Sequence, residues 1–284
     1  MEQHSNLRSE FLNRGFILVR SLYNKNRIRE LRNICIKNSN NNNEILSFDF
    51  TKELLLHPKL ISIVKQILNS EKILYYSDSN IINHEFPFEA KNGFHNDSRF
   101  EDENIPFKEE YPLVRVGIYF EDYKKYSGGL KIKEKSHKYF SFNLRAKLEN
   151  SIKLFKILLG KSRYDYSSLR LGKKINLDLE EGDVVIWNLR THHCGVSRRL
   201  KLFKNLCLQP DIEKIIPKMF FLPTQYEKNR CSIFSTFAKN DLKNKNILNY
   251  VKNKCNSKKI DQLKKDATLV NKLSELGVII PRID

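Results

Sequence analysis

The sequence is short of cysteine. Its five, Cys35, Cys194, Cys207, Cys231 and Cys255, are scattered through 284 residues and form no CxxC pair, which argues against a disulfide framework or a structural zinc site. It has no apolar run long enough to span a bilayer, and its opening, MEQHSNLRSE, lacks the apolar centre of a signal peptide. A soluble, cytoplasmic protein is expected. No internal repeat and no low-complexity linker divides the chain, so a single domain is expected over residues 1–284. Its core would lie at about 8–240, with a Lys-rich helical extension at about 241–284. Acidic side chains are also scarce: 33 Asp and Glu face 51 Lys and Arg, a net charge of +18. Such an excess suits a nucleic acid or an acidic substrate. Here Lys and Asn recur along the whole chain without a compact basic block. Composition bias is therefore favoured over nucleic-acid binding, leaving some attraction for acidic ligands.

What is present is enough apolar material for a core, 40% of residues, in alternating patterns. SEFLNRGF reads as a short helix, FILVRSL as a strand, and NKNRIRELRNICIKN as a helix with Asn24 placed to cap it. Residues 50–68 read as helical with a break near Pro58. EKILYYSDSNIINHEFPF is rich in β-branched and aromatic residues, as strands are. In YPLVRVGIYFED, Val114, Val116, Ile118 and Phe120 fall on one face and Arg115, Gly117 and Tyr119 on the other, the pattern of a half-buried strand. Further short strands follow at Leu130–Lys133, in INLDLEEGDVVIWNLRTHHCG and in NRCSIFSTFA. Six or more short strands flanked by helices fit a mostly β fold, a double-stranded β-helix (jelly roll, cupin-like) with helices packed on one face.

GFHNDS, residues 93–98, sets His95 and Asp97 two apart, on one face if the segment is extended. Such a pair is either a wet polar face or two metal ligands. Four of the other histidines offer little: His4 is terminal, His57 adjoins Pro58, His84 lacks a partner pattern, and His137 sits in the loop KSHK. His192 and His193 end the strand DVVIWNLRTHH, and because neighbours on a strand face opposite ways, at most one can join the pair. Two His and one carboxylate leave open positions on a metal, the arrangement of non-haem Fe(II) oxygenases. Spacing alone does not choose between His192 and His193. Trp187 reads as core near this strand.

These segments, in order, resemble the phytanoyl-CoA dioxygenase (PhyH) family of Fe(II)/2-oxoglutarate-dependent oxygenases. EFLNRGFILVRSL is similar to the family's opening, HPKLISIVKQIL to its next helix, FHNDS to its HxD motif, SGGLKIKEKSHK to its Gly-Gly/Pro-Leu segment, and EEGDVVIWNLRTHHCG to its Gly-Asp strand ending His-x-Gly. The likeness covers roughly residues 8–240. It implies Fe(II) held by His95, Asp97 and His193, since His193-Cys194-Gly195 fits the His-x-Gly pattern. It implies 2-oxoglutarate and O2 as cosubstrates, and an Arg-x-Ser for the far carboxylate of 2-oxoglutarate. Arg230 with Ser232 fits that pattern, against Arg198, Arg199 and Lys204 nearer the distal ligand. Arg230 requires an insertion at roughly 196–227. That insertion, with residues 98–110 and 138–170, is expected to roof the pocket. Arg115 and Tyr119 are expected to reach substrate or cosubstrate. The chain departs from the family in Phe94, where Trp is common, and in lacking Pro-Gly before Ser136-His137. Asp97 is the carboxylate that related halogenases lack, so halogenation is disfavoured. The implied activity is hydroxylation of a small metabolite with release of succinate and CO2, and the excess of Lys and Arg hints that this metabolite is acidic. A nucleic-acid demethylase, a cupin-like metal protein that does not use 2-oxoglutarate, and a non-enzymatic relative are the alternatives.

Overall fold

The computed structural model describes residues 4–39, 43–85, 94–97, 111–138, 173–195, 198–208, 210–225, 229–240 and 257–281. The chain opens with α1 (His4–Arg14), β1 (Phe16–Val19) and α2 (Lys25–Asn38). Asn24 caps α2, its side-chain oxygen accepting from the backbone N–H groups of Asn26 at 2.9 Å and Arg27 at 3.4 Å. The helical stretch around Pro58 is two helices, α3 (Asp49–Leu55) and α4 (Pro58–Leu68). Proline cannot continue α3 but suits the first turn of α4, where its missing N–H has no partner to lose.

Strands β2 (Ile73–Glu85), β3 (Leu113–Tyr119), β4 (Leu130–Lys133), β5 (Lys174–Asn176), β6 (Val184–Asn188) and β7 (His193–Gly195) follow. A short helix, α5 (Pro210–Ile215), precedes β8 (Asn229–Lys239), and the chain closes with α6 (Ser257–Lys265), α7 (Ala267–Glu275) and β9 (Val278–Ile279). The strands form a six-stranded sheet, β1-β6-β3-β8-β2-β9, and a three-stranded sheet, β5-β4-β7. Two sheets with helices on one outer face are the expected jelly-roll arrangement.

Alternation along the strands decides what each face meets. Val116 and Ile118 of β3, Ile186 of β6 and Ile233 of β8 point into a cluster with Leu31 of α2 and Leu60, Val64 and Ile67 of α4. The opposite face presents Tyr119, Val185 and Trp187, which pack with Phe16 on Leu130 and Ile132 of the small sheet. That second layer, between the sheets, is where the polar residues of interest converge. The Lys-rich end is helical in α6 and α7, as its pattern suggests, and Leu263, Leu269 and Leu273 join the first cluster. The parallel pairing of β9 with β2 was not legible, because Val278 and Ile279 form too short a run to show a period.

Candidate metal and cosubstrate site

The site is built by backbone pairing across the two sheets. β6 ends at Asn188, whose carbonyl accepts from Thr191 N–H at 2.7 Å and whose side chain accepts from Arg190 N–H at 2.9 Å. That tight turn carries the chain from the large sheet into β7 of the small one. The segment around His95 pairs antiparallel with the start of β7: His95 N–H donates to the His193 carbonyl at 2.9 Å and His193 N–H to the His95 carbonyl at 2.8 Å. Residues that exchange both bonds lie opposite each other with side chains on the same face. The two imidazoles accordingly sit with ring centroids 4.5 Å apart. Asp97, two residues on, points the same way, and its N–H is held by the Leu189 carbonyl at 2.9 Å.

One ligand atom each from His95, Asp97 and His193 falls within a 4.8 Å cluster. His95 Nε2 lies 3.9 Å from Asp97 Oδ1, and His193 Nε2 lies 3.6 Å from Asp97 Oδ2. His193 Nδ1 is 3.0 Å from the Thr191 carbonyl. That partner can only accept, so it fixes the proton on Nδ1 and leaves the Nε2 lone pair facing Asp97. Burial and the neighbouring His95 outweigh Asp97 and bring the His193 pKa down to about 4. The ring is therefore neutral near pH 7, as a metal ligand must be. Burial pushes the Asp97 carboxyl up, but the two histidines and Arg115 outweigh it and hold the pKa below the ordinary carboxylate value. Trp187 braces the site, its ring centroid 5.1 Å from that of His193.

His192 takes the other face. Its ring Nε2 lies 3.3 Å from Asn96 Nδ2, and its N–H donates to Ser136 Oγ at 2.8 Å. The alternation that puts His95 and Asp97 on one side puts Asn96 with His192 on the other. His137 Nε2 contacts the Leu12 carbonyl at 3.0 Å, and His57 packs edge-on to Tyr23, so neither is brought to the cluster.

A second polar group occupies the same inner layer. Arg230, on β8, is almost fully buried, and its guanidinium lies beside Gly195, where an added Cβ would stand 3.4 Å from Nη1. The glycine of His-x-Gly thus leaves the guanidinium room. Burial opposes the charge on Arg230, but Tyr123, Tyr119 and Glu121 more than offset it, Tyr123 through a hydrogen bond. Behind it, Tyr123 Oη donates to Glu121 Oε2 at 2.6 Å. Ser232 lies two residues along β8 and is the cross-strand partner of Tyr119. The Tyr119 hydroxyl and Ser232 Oγ are buried and have no hydrogen-bond partner among the described residues. Burial raises the Tyr119 pKa, so the phenol stays a neutral donor. Two orphaned hydroxyls beside a buried cation are the mark of a place built for an anionic, oxygen-rich ligand.

The competing basic residues are engaged elsewhere. Arg199 is buried, with Nη1 donating to the Tyr123 carbonyl at 2.7 Å and Nη2 2.5 Å from Asp178 Oδ1. Arg198 lies over the Phe221 ring, and Lys204 is exposed. Arg115 does face the inner layer but is tied down: it pairs with Asp78 and donates to Thr236 Oγ1 at 2.8 Å. A register shift between Tyr76 and Asn80 of β2 supplies that carboxylate, re-aiming the strand at Asp78. Asp78 and Tyr123 were not singled out from the sequence; the only signal for Tyr123 is its place two residues after Glu121. The inserted segment also departs from expectation. Lys131 of β4, whose neighbours Leu130 and Ile132 face the inner layer, meets the Leu208 carbonyl and Glu213. Lys204, Leu206, Leu208 and Glu213 thus meet the outer face of the small sheet, away from the inner layer. The other expected roof segments, 98–110 and 139–170, lie outside the described residues.

The sequence matches the phytanoyl-CoA dioxygenase (PhyH) family over residues 20–197, more than half of the chain. The chain belongs to that family. Its fold is shared with the epimerase SnoN in complex with Fe3+, alpha ketoglutarate and nogalamycin RO, at TM-score 0.53 and 11% identity over 84% of each chain. AviO1 from Streptomyces viridochromogenes Tue57 aligns at TM-score 0.51 and 12% identity over 84% of this chain and 95% of that one. Among curated proteins none matches the sequence. At such identities the alignments carry the fold. Membership in the PhyH family brings Fe(II) with 2-oxoglutarate and O2, and the residues present fit both groups. Two imidazoles and a carboxylate suit Fe(II) with open positions, and the buried Arg with two orphaned hydroxyls suits a carboxylate. No helix among the described residues is long and apolar enough to cross a membrane.

Proposed function

We propose that this PhyH-family protein is a 2-oxoglutarate-dependent hydroxylase of a small, acidic metabolite, with His95, Asp97 and His193 as iron ligands and Arg230 as the cosubstrate's anchor. The observation that carries the reading is the juxtaposition, between the two sheets, of the His–Asp–His cluster and the Arg230–Tyr119–Ser232 cradle. When bound, Fe(II) with 2-oxoglutarate and O2 supplies the oxidising power to break an unactivated C–H bond, releasing succinate and CO2.

The protein's own part is positional. The His95–His193 backbone bridge sets the two imidazoles side by side, and the Thr191 carbonyl fixes the tautomer of His193, so that loading needs little rearrangement. Arg230 offers a planar fork to the distal carboxylate of 2-oxoglutarate, and Ser232 and Tyr119 give it hydroxyl donors. Trp187, Phe234 and Tyr119 wall the inner layer with rings, which keeps water from the reacting centre. An acidic substrate is supported by the net charge of +18 and by Lys174, placed 6.0 Å from the centroid of Phe94 beside the ligand pair.

The test is an anaerobic titration. Metal-free protein receives Fe(II), then 2-oxoglutarate, and the weak visible charge-transfer band of the chelate is followed. A band that is lost in Arg230→Leu supports the reading. Iron binding without any band would leave a metal site and remove the cosubstrate. Succinate release in air, with carboxylated against neutral candidate substrates, then separates the proposed substrate class from its rivals.

A further inference from the structure

The segment after the distal ligand is folded inside out. Eight large apolar side chains are exposed among the described residues, and seven of them lie within residues 202–220. Leu202 is 85% exposed, Ile215 82%, Met219 71% and Phe203 65%. Soluble surfaces scatter such residues singly; a concentration of them marks a contact surface. These are not frayed ends. The base of the segment is closed by Lys201 N–H donating to the Phe220 carbonyl at 2.9 Å and Leu222 N–H to the Arg199 carbonyl at 2.7 Å. This brings Leu202–Phe203 beside Met219–Phe220. From beneath, Asn176 Nδ2 donates to the carbonyls of Lys204 and Leu206 at 3.3 and 3.2 Å. Lys131 and Glu213 form a buried ion pair between the sheet and α5. Backbone carbonyls and Glu213 face the sheet, and the apolar side chains face out.

The charge around this surface has one sign. Residues 198–225 contain only two acids, Asp211 and Glu213, and Glu213 is consumed by Lys131. Lys201, Lys204 and Lys218 are exposed beside the apolar tips. Apolar side chains standing proud on short turns and ringed by lysine match an anionic bilayer, into which the tips insert while the ammonium groups meet headgroups. A second copy would set lysine against lysine on a chain already carrying +18. We infer that residues 202–220 dock the protein peripherally on anionic lipid membranes. This does not depend on the iron site.

The test is flotation of the full chain with vesicles of phosphatidylcholine alone or with about 30% phosphatidylserine. The wild type should float with the anionic vesicles, less so in high salt, and not with the neutral ones. Leu202→Ser/Phe203→Ser/Ile215→Ser should keep the wild-type melting temperature, because these side chains are exposed, and lose more than about ten-fold in binding. Lys201→Glu/Lys204→Glu should weaken binding as well. No flotation of the wild type, or equal flotation with neutral vesicles, overturns the inference. So does undiminished binding by the apolar variant, which would leave charge alone at work. A wild-type dimer that the apolar variant dissolves, with no vesicle binding, would reassign the surface to contact between copies.

Discussion

Replacing Arg230 by Leu tests the cosubstrate cradle most directly. Arg230 is 3% exposed, and its guanidinium is already held by Tyr123. Its desolvation is therefore met before ligand arrives, and the forked pair it offers a carboxylate forms in a dry layer. Removing one partner of a buried charged pair costs about 3–5 kcal/mol. Part of that is the cost of burying the carboxylate beside Glu121 with no cation between, so the lower end is the fair expectation. At about 1.4 kcal/mol per decade, 2-oxoglutarate should need roughly a hundredfold higher concentration for half-saturation. Arg230→Lys keeps the charge but not the fork and should lose roughly ten-fold. Fe(II) affinity should hold in both. The readouts are the anaerobic band against 2-oxoglutarate concentration and succinate release against the same variable. Arg199→Leu is the control, since Arg199 is occupied by the Tyr123 carbonyl and Asp178. It should lower the melting temperature and leave half-saturation alone. Wild-type half-saturation in Arg230→Leu, with a large rise in Arg199→Leu, would refute the assignment.

Tyr119→Phe should weaken 2-oxoglutarate about ten-fold without lowering the melting temperature, because the hydroxyl it removes has no partner among the described residues; an unchanged titration would take Tyr119 out of the cradle. Alanine at His95, Asp97 or His193 should lower Fe(II) affinity more than about a hundredfold by anaerobic calorimetry, whereas His192→Ala should cost stability but leave Fe(II) binding within about three-fold. Equal losses at His192 and His193 would undo the face assignment. Gly117→Ala should destabilise the fold by about 1–3 kcal/mol in chemical denaturation, since the new Cβ would lie 2.8 Å from Phe234 and 2.9 Å from Trp187. Glu213→Ala should cost about 3–5 kcal/mol by stranding Lys131, and Lys131→Met/Glu213→Leu should recover most of it; a double variant no better than the single would mean the pair is not the fastening of α5.

How much of this was legible depends on which periods the sequence could display. β3 is seven residues long, and its alternation correctly separated Val116 and Ile118 from Arg115 and Tyr119. HxD was legible for the same reason: an i, i+2 pair needs only an extended backbone to share a face. The choice of β7's first residue over His192 came from a resemblance rather than from spacing, and the His95–His193 bridge that brings the two rings together is a long-range pairing that no local pattern encodes. Arg230 and Ser232 could be paired by period but not located. Their meeting with Tyr119 is a register between β3 and β8, strands separated by more than a hundred residues. Asp78 was hidden because it arises where the period of β2 is broken. The insertion followed from the choice of Arg230, and where its described part packs was not legible. Nothing in LKLFKNLCLQP says that its carbonyls satisfy Lys131 and Asn176 on the far side of the small sheet.

The same comparison explains why the two polar groups of the site are held by different means. The proposed iron ligands are held by bonds to backbone groups at 2.8–3.0 Å, between His95 and His193 themselves and to the carbonyls of Leu189 and Thr191, so the set should tolerate substitutions on the outer face, such as His192→Ala. The cradle depends on side chains delivered by separate strands, with Glu121 and Tyr123 behind them and a glycine in front. It has no backbone bridge to fall back on. Gly195→Ala distinguishes the two. The added Cβ, 3.4 Å from Arg230 Nη1, crowds the guanidinium without touching the His193 backbone bonds. It should leave Fe(II) affinity near wild type and weaken 2-oxoglutarate by a few-fold, about 1 kcal/mol. Parallel losses of iron and cosubstrate would mean that the two sets are one mechanical unit, and that the His-x-Gly glycine serves the strand rather than the cradle.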